Sequence, residues 1–81
     1  MPKLRRLYGS EVVSILESFG FIVTGQRGSH MKLQRTVPGS GKQTLIVPNH
    51  RELDTGTCRA LLRQAGKYIP MEEMLPHFLA E

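Results

Sequence analysis

Residues 26–30, with the sequence Gln-Arg-Gly-Ser-His, bring a cation, a turn and a histidine together within five positions. Histidine as a residue type titrates near neutrality and can give or accept a proton there. Cleavage of RNA by its own 2′-hydroxyl needs a base for that hydroxyl, an acid for the leaving 5′-oxygen and a cation for the phosphorane charge. His30 could serve as the base or the acid, and Arg27 and Lys32 are near enough in sequence to supply the cation. The alternative is a structural surface histidine, which these residues alone favour.

His50 and Ser29 are candidates to assist His30. His50 follows the third predicted strand, and in an antiparallel meander the start of strand 2 lies beside the end of strand 3. His30 and His50 could therefore approach each other as an acid–base pair, or His50 could instead organise its loop or bind a phosphate. Ser29 could act as a nucleophile beside His30, although adjacent strand residues point to opposite faces.

The distribution of charge favours an anionic partner. All 11 Lys and Arg precede residue 71 together with only four acids, whereas the last eleven residues contain three acids. Lys and Arg on phosphates release counterions, so such a chain suits RNA, although solubility alone would also explain the charge. Arg59 and Arg63, one turn apart on a predicted helix, are candidate phosphate ligands, with a solvated helix face as their alternative. The basic segment 1–9 could also touch phosphates, but a frayed terminus is favoured there.

Several function classes are disfavoured by the composition. A single cysteine cannot form an internal disulfide and is typical of a reducing compartment. We expect no signal peptide, no membrane span and a cytoplasmic location, because no long apolar run is present. Cys58 and the three histidines show no ligand spacing such as Cys-x-x-Cys, so we predict neither a metal nor another cofactor.

Apolar residues recur at helical spacing in three segments, and three segments rich in strand-forming residues lie between the first two. Ser10 is predicted to cap the first helix and Gly20 to stop it in the left-handed conformation. Residues 37–42 are predicted to form a flexible hairpin loop, and Pro76 to kink or shorten the last helix. The predicted elements are helix 1 (10–19), strand 1 (21–24), a turn (26–29), strand 2 (29–35), strand 3 (43–47), helix 2 (capped by Asp54 or Thr55 and stopped by Gly66) and helix 3 (starting at Pro70).

This order predicts an α+β fold, α-β-β-β-α plus a C-terminal helix. A three-stranded antiparallel sheet would carry its helices on one face, which is the arrangement of a double-stranded-RNA-binding domain. If Met31 and Leu33 face the core, then His30, Lys32 and Gln34 share the open face. The chain is short enough that residues 1–81 form one domain.

Four segments, in the same order, make the chain resemble the HicA-type toxins. Gln26 to His30 matches their hallmark Arg/Lys-x-Gly-Ser-His element, and Val47 to His50 is similar to their Val-Pro-x-His. The helix ending in Gly20-Phe21 resembles their opening, and the segment 53–66 resembles their closing Leu-x-x-Gly-Thr-x-x-x-Ile-Leu-x-Gln-Ala-Gly. The likeness covers residues 8 to about 66, and four ordered elements make it specific.

This resemblance implies an mRNA interferase of a bacterial toxin–antitoxin pair, with a fold like a double-stranded-RNA-binding domain. It implies that His30 is the catalytic residue and that a HicB-type antitoxin neutralises the protein by covering it. Residues 67–81 would then be a terminal helical extension outside the family core. The alternative functions are a non-catalytic double-stranded-RNA-binding module and a domain that binds only protein.

Overall fold

The computed structural model describes residues 3–80, which fold around a three-stranded antiparallel sheet in the order β1-β2-β3. Helix α1 packs against β1 and β3, and α2 packs against β3, on one face of the sheet. The predicted α+β class and the order of elements are therefore confirmed. The elements are α1 (Gly9–Ser18), β1 (Ile22–Arg27), β2 (His30–Val37), β3 (Gly41–Pro48), α2 (Thr55–Ala65) and α3 (Met71–Phe78).

Helix α1 begins one residue earlier than the sequence pattern indicates. Tyr8 is the N-cap, and its backbone N–H donates to the Glu11 carboxylate at 2.9 Å. Ser10 therefore lies inside the first turn, and its prediction as the N-cap is wrong. Glu11 satisfies a free amide at the helix start, where the helix dipole also favours its negative charge.

Gly20 ends α1 as predicted. Its φ of +95° is in the left-handed region that favours glycine, and its N–H donates to the Glu17 carbonyl at 3.0 Å. The next N–H, of Phe21, reaches back to the Leu16 carbonyl at 3.2 Å. These two bonds close the helix and turn the chain directly into β1.

The sheet has one buried and one open face. On the buried face Leu33 pairs with Leu45 and Met31 with Val47, and Leu33, Leu45 and Val47 are buried. The intervening residues of β2 and β3 point to the other face, because successive strand residues alternate. The predicted division between core-facing and open-facing residues of β2 is confirmed.

The strands are longer and the hairpins tighter than predicted. β1 continues to Arg27 with an irregularity between Val23 and Gly25, so of the two alternatives for Gly25, a strand end or a bulge, the structure shows the bulge. Residues 37–42 are not a flexible loop: β2 runs to Val37 and β3 starts at Gly41, with a short turn at 38–40 between them. Gly39 has a φ of +83°, which allows the chain to reverse there.

Helix α3 shares one hydrophobic core with α1 and α2. The predicted apolar stripe of α2 is buried, and Met74 and Phe78 of α3 belong to the same core. Gly66 is the C-cap of α2, in right-handed conformation, so the prediction that it stops the helix is confirmed. A side chain there would press on Met71 and on the Leu62 carbonyl. Pro70 is the N-cap of α3 and not its first residue, and Pro76 is accommodated within the eight-residue helix.

The N-terminal segment is held against the end of the chain, so its described part is not frayed. Leu4 pairs with Leu79, and the Arg5 N–H donates to the Phe78 carbonyl at 2.7 Å. Leu7 is fully buried in the core. Residues 1 and 2 of the predicted basic lead-in lie outside the described residues.

Arg35 ties three distant segments together. Its guanidinium donates to the Phe19 carbonyl at 2.6 Å, the Tyr68 carbonyl at 2.8 Å and the Gln43 side chain at 2.7 Å. It also lies 4.8 Å from the centre of the Phe21 ring. Arg35 supports the fold, because its N–H donors are used within the protein itself.

In residues 3–80 no helix is both long and apolar enough to cross a bilayer.

Candidate active site

His30 is the first residue of β2 and lies directly opposite Arg27, the last residue of β1. Only Gly28 and Ser29 separate them in the chain, and Gly28 has a φ of +58°. The Gln26 side-chain amide donates to the Gly28 carbonyl at 3.3 Å and secures the turn. Directly opposed residues place their side chains on the same face of a sheet, so the turn itself sets His30 beside a cation.

A surface cavity of ≈ 540 Å³ contains the three residues on which the sequence hypothesis centred. Lys32 lies two residues beyond His30 on the same face, about 7 Å along the strand. His30, Arg27 and Lys32 are all exposed, so a phosphate could reach them from solvent. The cavity is lined by Gly25, Gln26, Arg27, His30, Lys32 and Ile46.

Residues 48–50, which we call the His50 segment, are fixed next to the start of β2. His30 pairs with Pro48 across the sheet, and the Asn49 N–H donates to the Ser29 carbonyl. On the other side, the N–H of Gly9 donates to the His50 carbonyl at 2.9 Å. The predicted meeting of the start of β2 with the end of β3 is thus present in the backbone.

Gly9 permits this arrangement because helix α1 touches the His50 segment backbone to backbone. A Cβ at residue 9 would collide with the Pro48 carbonyl oxygen and press on the backbone of residues 49 and 50. His50 itself is exposed and does not line the His30 cavity. Hydrogen bonding by Thr57 is the main cause that lowers the pKa of Asp54, and the nearby His50 lowers it further. His50 therefore lies outside the His30 cavity and near the N-cap of α2.

A family model described as the HicA toxin of bacterial toxin–antitoxin systems matches residues 9–67. The chain belongs to the HicA toxin family. The match starts at the first residue of α1 and ends just after α2, so it contains the His30 cavity, the His50 segment and Arg63, but leaves out α3. No curated protein and no solved structure matches the chain.

Membership of the HicA family gives the chain a toxin role within a toxin–antitoxin system. A protein of this kind has an antitoxin as its partner. The resemblance of four ordered segments to HicA-type toxins is therefore confirmed at the level of the family.

In this HicA family member, Arg59 and Arg63 lie away from the His30 cavity. Arg59 lines a separate cleft of ≈ 430 Å³ with Lys3 and Thr55, and the two cavities share no lining residue. Arg63 is exposed in the last turn of α2. Both remain candidates for contact with a long anionic ligand, but not with a phosphate held at His30.

Ser29 lies in the hairpin turn and not in a strand. It is exposed, and its carbonyl accepts the hydrogen bond from Asn49. Its side chain does not line the His30 cavity. The contribution of Ser29 to the site is therefore through the backbone, which locks the turn to the His50 segment.

The sequence interpretation missed Gln26 and Ile46 as parts of the site. Ile46 lies opposite Lys32 and remains 42% exposed on the open face. The signal was present in the alternation of β3, where Ile46 stands between the core residues Leu45 and Val47. Gln26 gave no comparable signal, because its role depends on the geometry of the turn.

Among residues 3–80, the titratable groups outside the cavity form no second candidate centre. Within residues 3–80 no group of three or more His, Cys, Asp or Glu side chains is placed to hold a metal ion. Cys58 is only 1% exposed, and burial raises the pKa of its thiol above the ordinary value. Cys58 is therefore a buried member of the apolar stripe of α2.

Proposed function

We propose that this HicA family toxin is an endoribonuclease that cleaves mRNA, blocks translation, and uses His30 as its general acid or base. The observation that carries the proposal is the direct pairing of His30 with Arg27, with Lys32 in the same open cavity. The reaction needs a base, an acid and a cation, and these residues supply one proton-transferring group and two cations. The cell compartment for such an activity is the cytoplasm, where mRNA is found.

The chemistry uses the RNA's own nucleophile. The 2′-oxygen attacks the adjacent phosphorus as its proton passes to a base, and the bond from phosphorus to the 5′-oxygen breaks as an acid protonates that oxygen. The products are a 2′,3′-cyclic phosphate and a 5′-hydroxyl. Arg27 and Lys32 bind the non-bridging oxygens, where negative charge accumulates in the transition state.

His30 fills one of the two proton-transfer roles. His50 is the proposed assisting group for the other, since its backbone is fixed beside the start of β2 by the Asn49 and Gly9 contacts. These groups act without a bound metal in the proposed mechanism, because imidazole and guanidinium supply the proton transfer and the charge.

The antitoxin is proposed to be a HicB-type protein that covers His30. The exposed position of His30, Arg27 and Lys32 supports this, because a partner seated on the open face would occlude all three. Residues 8 to 66 are the proposed family core of a single domain, and residues 67–81 its extension. That extension includes α3, whose Met74 and Phe78 complete the common core.

The test compares purified wild type, His30→Ala and His77→Ala on single-stranded RNA in EDTA. His77 is an exposed histidine on α3 that contacts Phe19, so its variant controls for loss of any surface imidazole. We expect cleavage by wild type and His77→Ala, and a loss of about 100-fold or more in His30→Ala.

Cleavage by His30→Ala at the wild-type rate would refute the assignment of His30. Cleavage by wild type that stops in EDTA would refute the metal-independent mechanism. RNA bound but left intact by wild type would favour a non-catalytic RNA-binding module instead.

A further inference from the structure

The open face of the sheet extends well beyond His30. From His30 to Thr36 the face runs about 20 Å along β2. A second cavity of ≈ 300 Å³ beyond the His30 cavity includes the open-face residues Gln34 and Thr36. It is lined by Gly20, Ile22, Thr24, Gln34, Arg35, Thr36 and Lys42.

The register places Lys32, Gln34 and Thr36, which line the two cavities, on one surface of the sheet. Thr36 pairs with Lys42, Gln34 pairs with both Thr44 and Ile22, and Lys32 pairs with Ile46. Directly paired residues share a face, so these side chains form a continuous strip that ends at His30. We call the part of this strip from Ile22 and Gln34 to Lys42 the distal strip.

The charge of the sheet is of one sign. No Asp or Glu occurs anywhere in residues 18–51, which include all three strands. Lys42 lies at the far end of the distal strip and is exposed, while Lys32 and Arg27 lie at the His30 end. A surface with cations at both ends and no acids is complementary to a polyanion.

Apolar side chains lie between these cations. Ile22 is 63% exposed and Ile46 is 42% exposed, and both are on the open face. An RNA duplex shows proteins mainly phosphates and 2′-hydroxyls across its shallow groove, which would leave these side chains against polar groups. The unstacked bases of a single strand present flat apolar faces that could cover them.

The reaction proposed at His30 also requires a flexible strand. In-line attack by the 2′-oxygen needs the ribose and phosphate to leave the A-form arrangement of a duplex. A single strand can adopt this geometry without breaking base pairs. The open face and the chemistry therefore favour the same form of RNA.

We propose that the distal strip, with Lys42 and Ile22 as its anchors, binds the single-stranded RNA that continues from the phosphate held at His30. The proposal rests on the function proposed above in taking RNA as the ligand. It adds a binding surface distinct from the cleaving residues, and it assigns the substrate as single-stranded. Lys42 binds a phosphate and Ile22 packs against a base.

The experiment measures binding of a nine-nucleotide 2′-O-methyl RNA, which has no free 2′-hydroxyl and so cannot be cut by this reaction. Wild type is compared with Lys42→Gln, Ile22→Thr and the control Lys67→Gln, all checked for unchanged thermal unfolding. Lys67 is an exposed lysine just after α2, so its variant removes the same charge elsewhere.

We expect Lys42→Gln to weaken binding about fivefold in 0.1 M salt, the factor that release of one counterion from a single strand gives. The slope of log K against log salt should fall by about 0.7 in the same variant. Ile22→Thr should weaken binding about threefold with no change of slope, because it removes apolar contact and not charge. Lys67→Gln should bind as wild type does.

Two results would overturn the distal strip. One is equal binding by Lys42→Gln, Ile22→Thr and wild type. The other is that a duplex of the same sequence binds more tightly than the single strand, and that Arg59→Gln weakens RNA binding while Lys42→Gln does not. This result would place the RNA on the helical side of the sheet. A failure of the proposed nuclease activity is seen separately, as cleavage of ordinary RNA that does not depend on His30.

Discussion

The hairpin turn at Gly28 offers a sharp test, since it joins Arg27 to His30 and helps to set their spacing. Gly28 has a φ of +58° and no atom within 4 Å of the place a Cβ would take. An alanine there would meet no neighbour, so its cost would come from the backbone alone. That cost is about 1–2 kcal/mol for a left-handed non-glycine residue.

Part of this cost is offset in the unfolded state. Alanine has fewer unfolded conformations to lose than glycine, which contributes about 0.4–1 kcal/mol in favour of the folded variant. The net destabilisation of Gly28→Ala should therefore be about 1 kcal/mol. For a domain of this size that corresponds to a fall in Tm of about 4–8 °C.

Gly39 provides a matched control at the opposite end of the sheet. It lies in the other hairpin, with a φ of +83°, and a Cβ added there would likewise have no atom within 4 Å. Gly39→Ala should lose similar stability, measured by circular dichroism on heating. Only Gly28→Ala should also lose RNA cleavage, by about tenfold or more, because small misplacements of reacting groups are costly.

The cleavage assay is run on a short RNA at a temperature well below both unfolding transitions, so that each variant is fully folded. Gly28→Asn should retain more activity than Gly28→Ala, since asparagine tolerates the left-handed region better. Equal cleavage by Gly28→Ala and Gly39→Ala would refute the argument that this turn positions the site.

Three further predictions concern stability and reactivity. Gly9→Ala should lose about 1–3 kcal/mol of unfolding free energy in urea titration, because its Cβ collides with the Pro48 carbonyl. The control Gly56→Ala, at the start of α2, should leave the unfolding free energy unchanged or raise it by up to about 1 kcal/mol. An equal loss of unfolding free energy in Gly9→Ala and Gly56→Ala would contradict the packing argument. Arg35→Met should lose about 1–3 kcal/mol of unfolding free energy in the same titration, because it leaves two half-buried carbonyls without this donor. An unchanged urea midpoint would contradict this role of Arg35. Cys58 should react with iodoacetamide at pH 8 far more slowly in native protein than in urea. Burial raises the pKa of the thiol and so reduces the fraction of thiolate, which is the reacting form. Equal reaction rates in the two conditions would contradict the burial of Cys58.

The elements that the sequence predicts well are those determined by local pattern. The stripe that includes Leu16 and the one that includes Leu62 are buried as their helical spacing requires. Gly20 stops α1 because a left-handed residue there closes two hydrogen bonds to preceding carbonyls. The hallmark segment that ends at His30 also indicated the family and which residues group at the site.

The elements that the sequence predicts poorly depend on contacts that a local residue pattern does not show. Residues 37–42 have weak strand propensity, yet pairing of Val37 with Gly41 extends the ladder until the turn itself. Arg35 belongs to a strand, but its acceptors come from the end of α1 and the segment after α2. The need for glycine at residue 9 arises from the approach of the His50 segment, which no local pattern reveals.

The same limit applies to the candidate site. The grouping of His30 with Arg27 and Lys32 follows from a short hairpin and from strand alternation, both of which can be read locally. Arg59 is a candidate phosphate ligand on its charge and its place on a predicted helix, and the structure places it in another cleft. Charge shows that an anion is a suitable ligand, but three-dimensional contacts decide which cations serve one phosphate.

Chemical rescue tests the central claim most directly, because it asks whether an imidazole at residue 30 is the group that transfers the proton. His30→Ala is assayed on single-stranded RNA in EDTA with increasing imidazole, beside Arg27→Ala as a variant that keeps His30. We expect added imidazole to restore cleavage of His30→Ala at the wild-type positions and to leave Arg27→Ala unchanged. Cleavage by His30→Ala at the wild-type rate without imidazole would contradict the account.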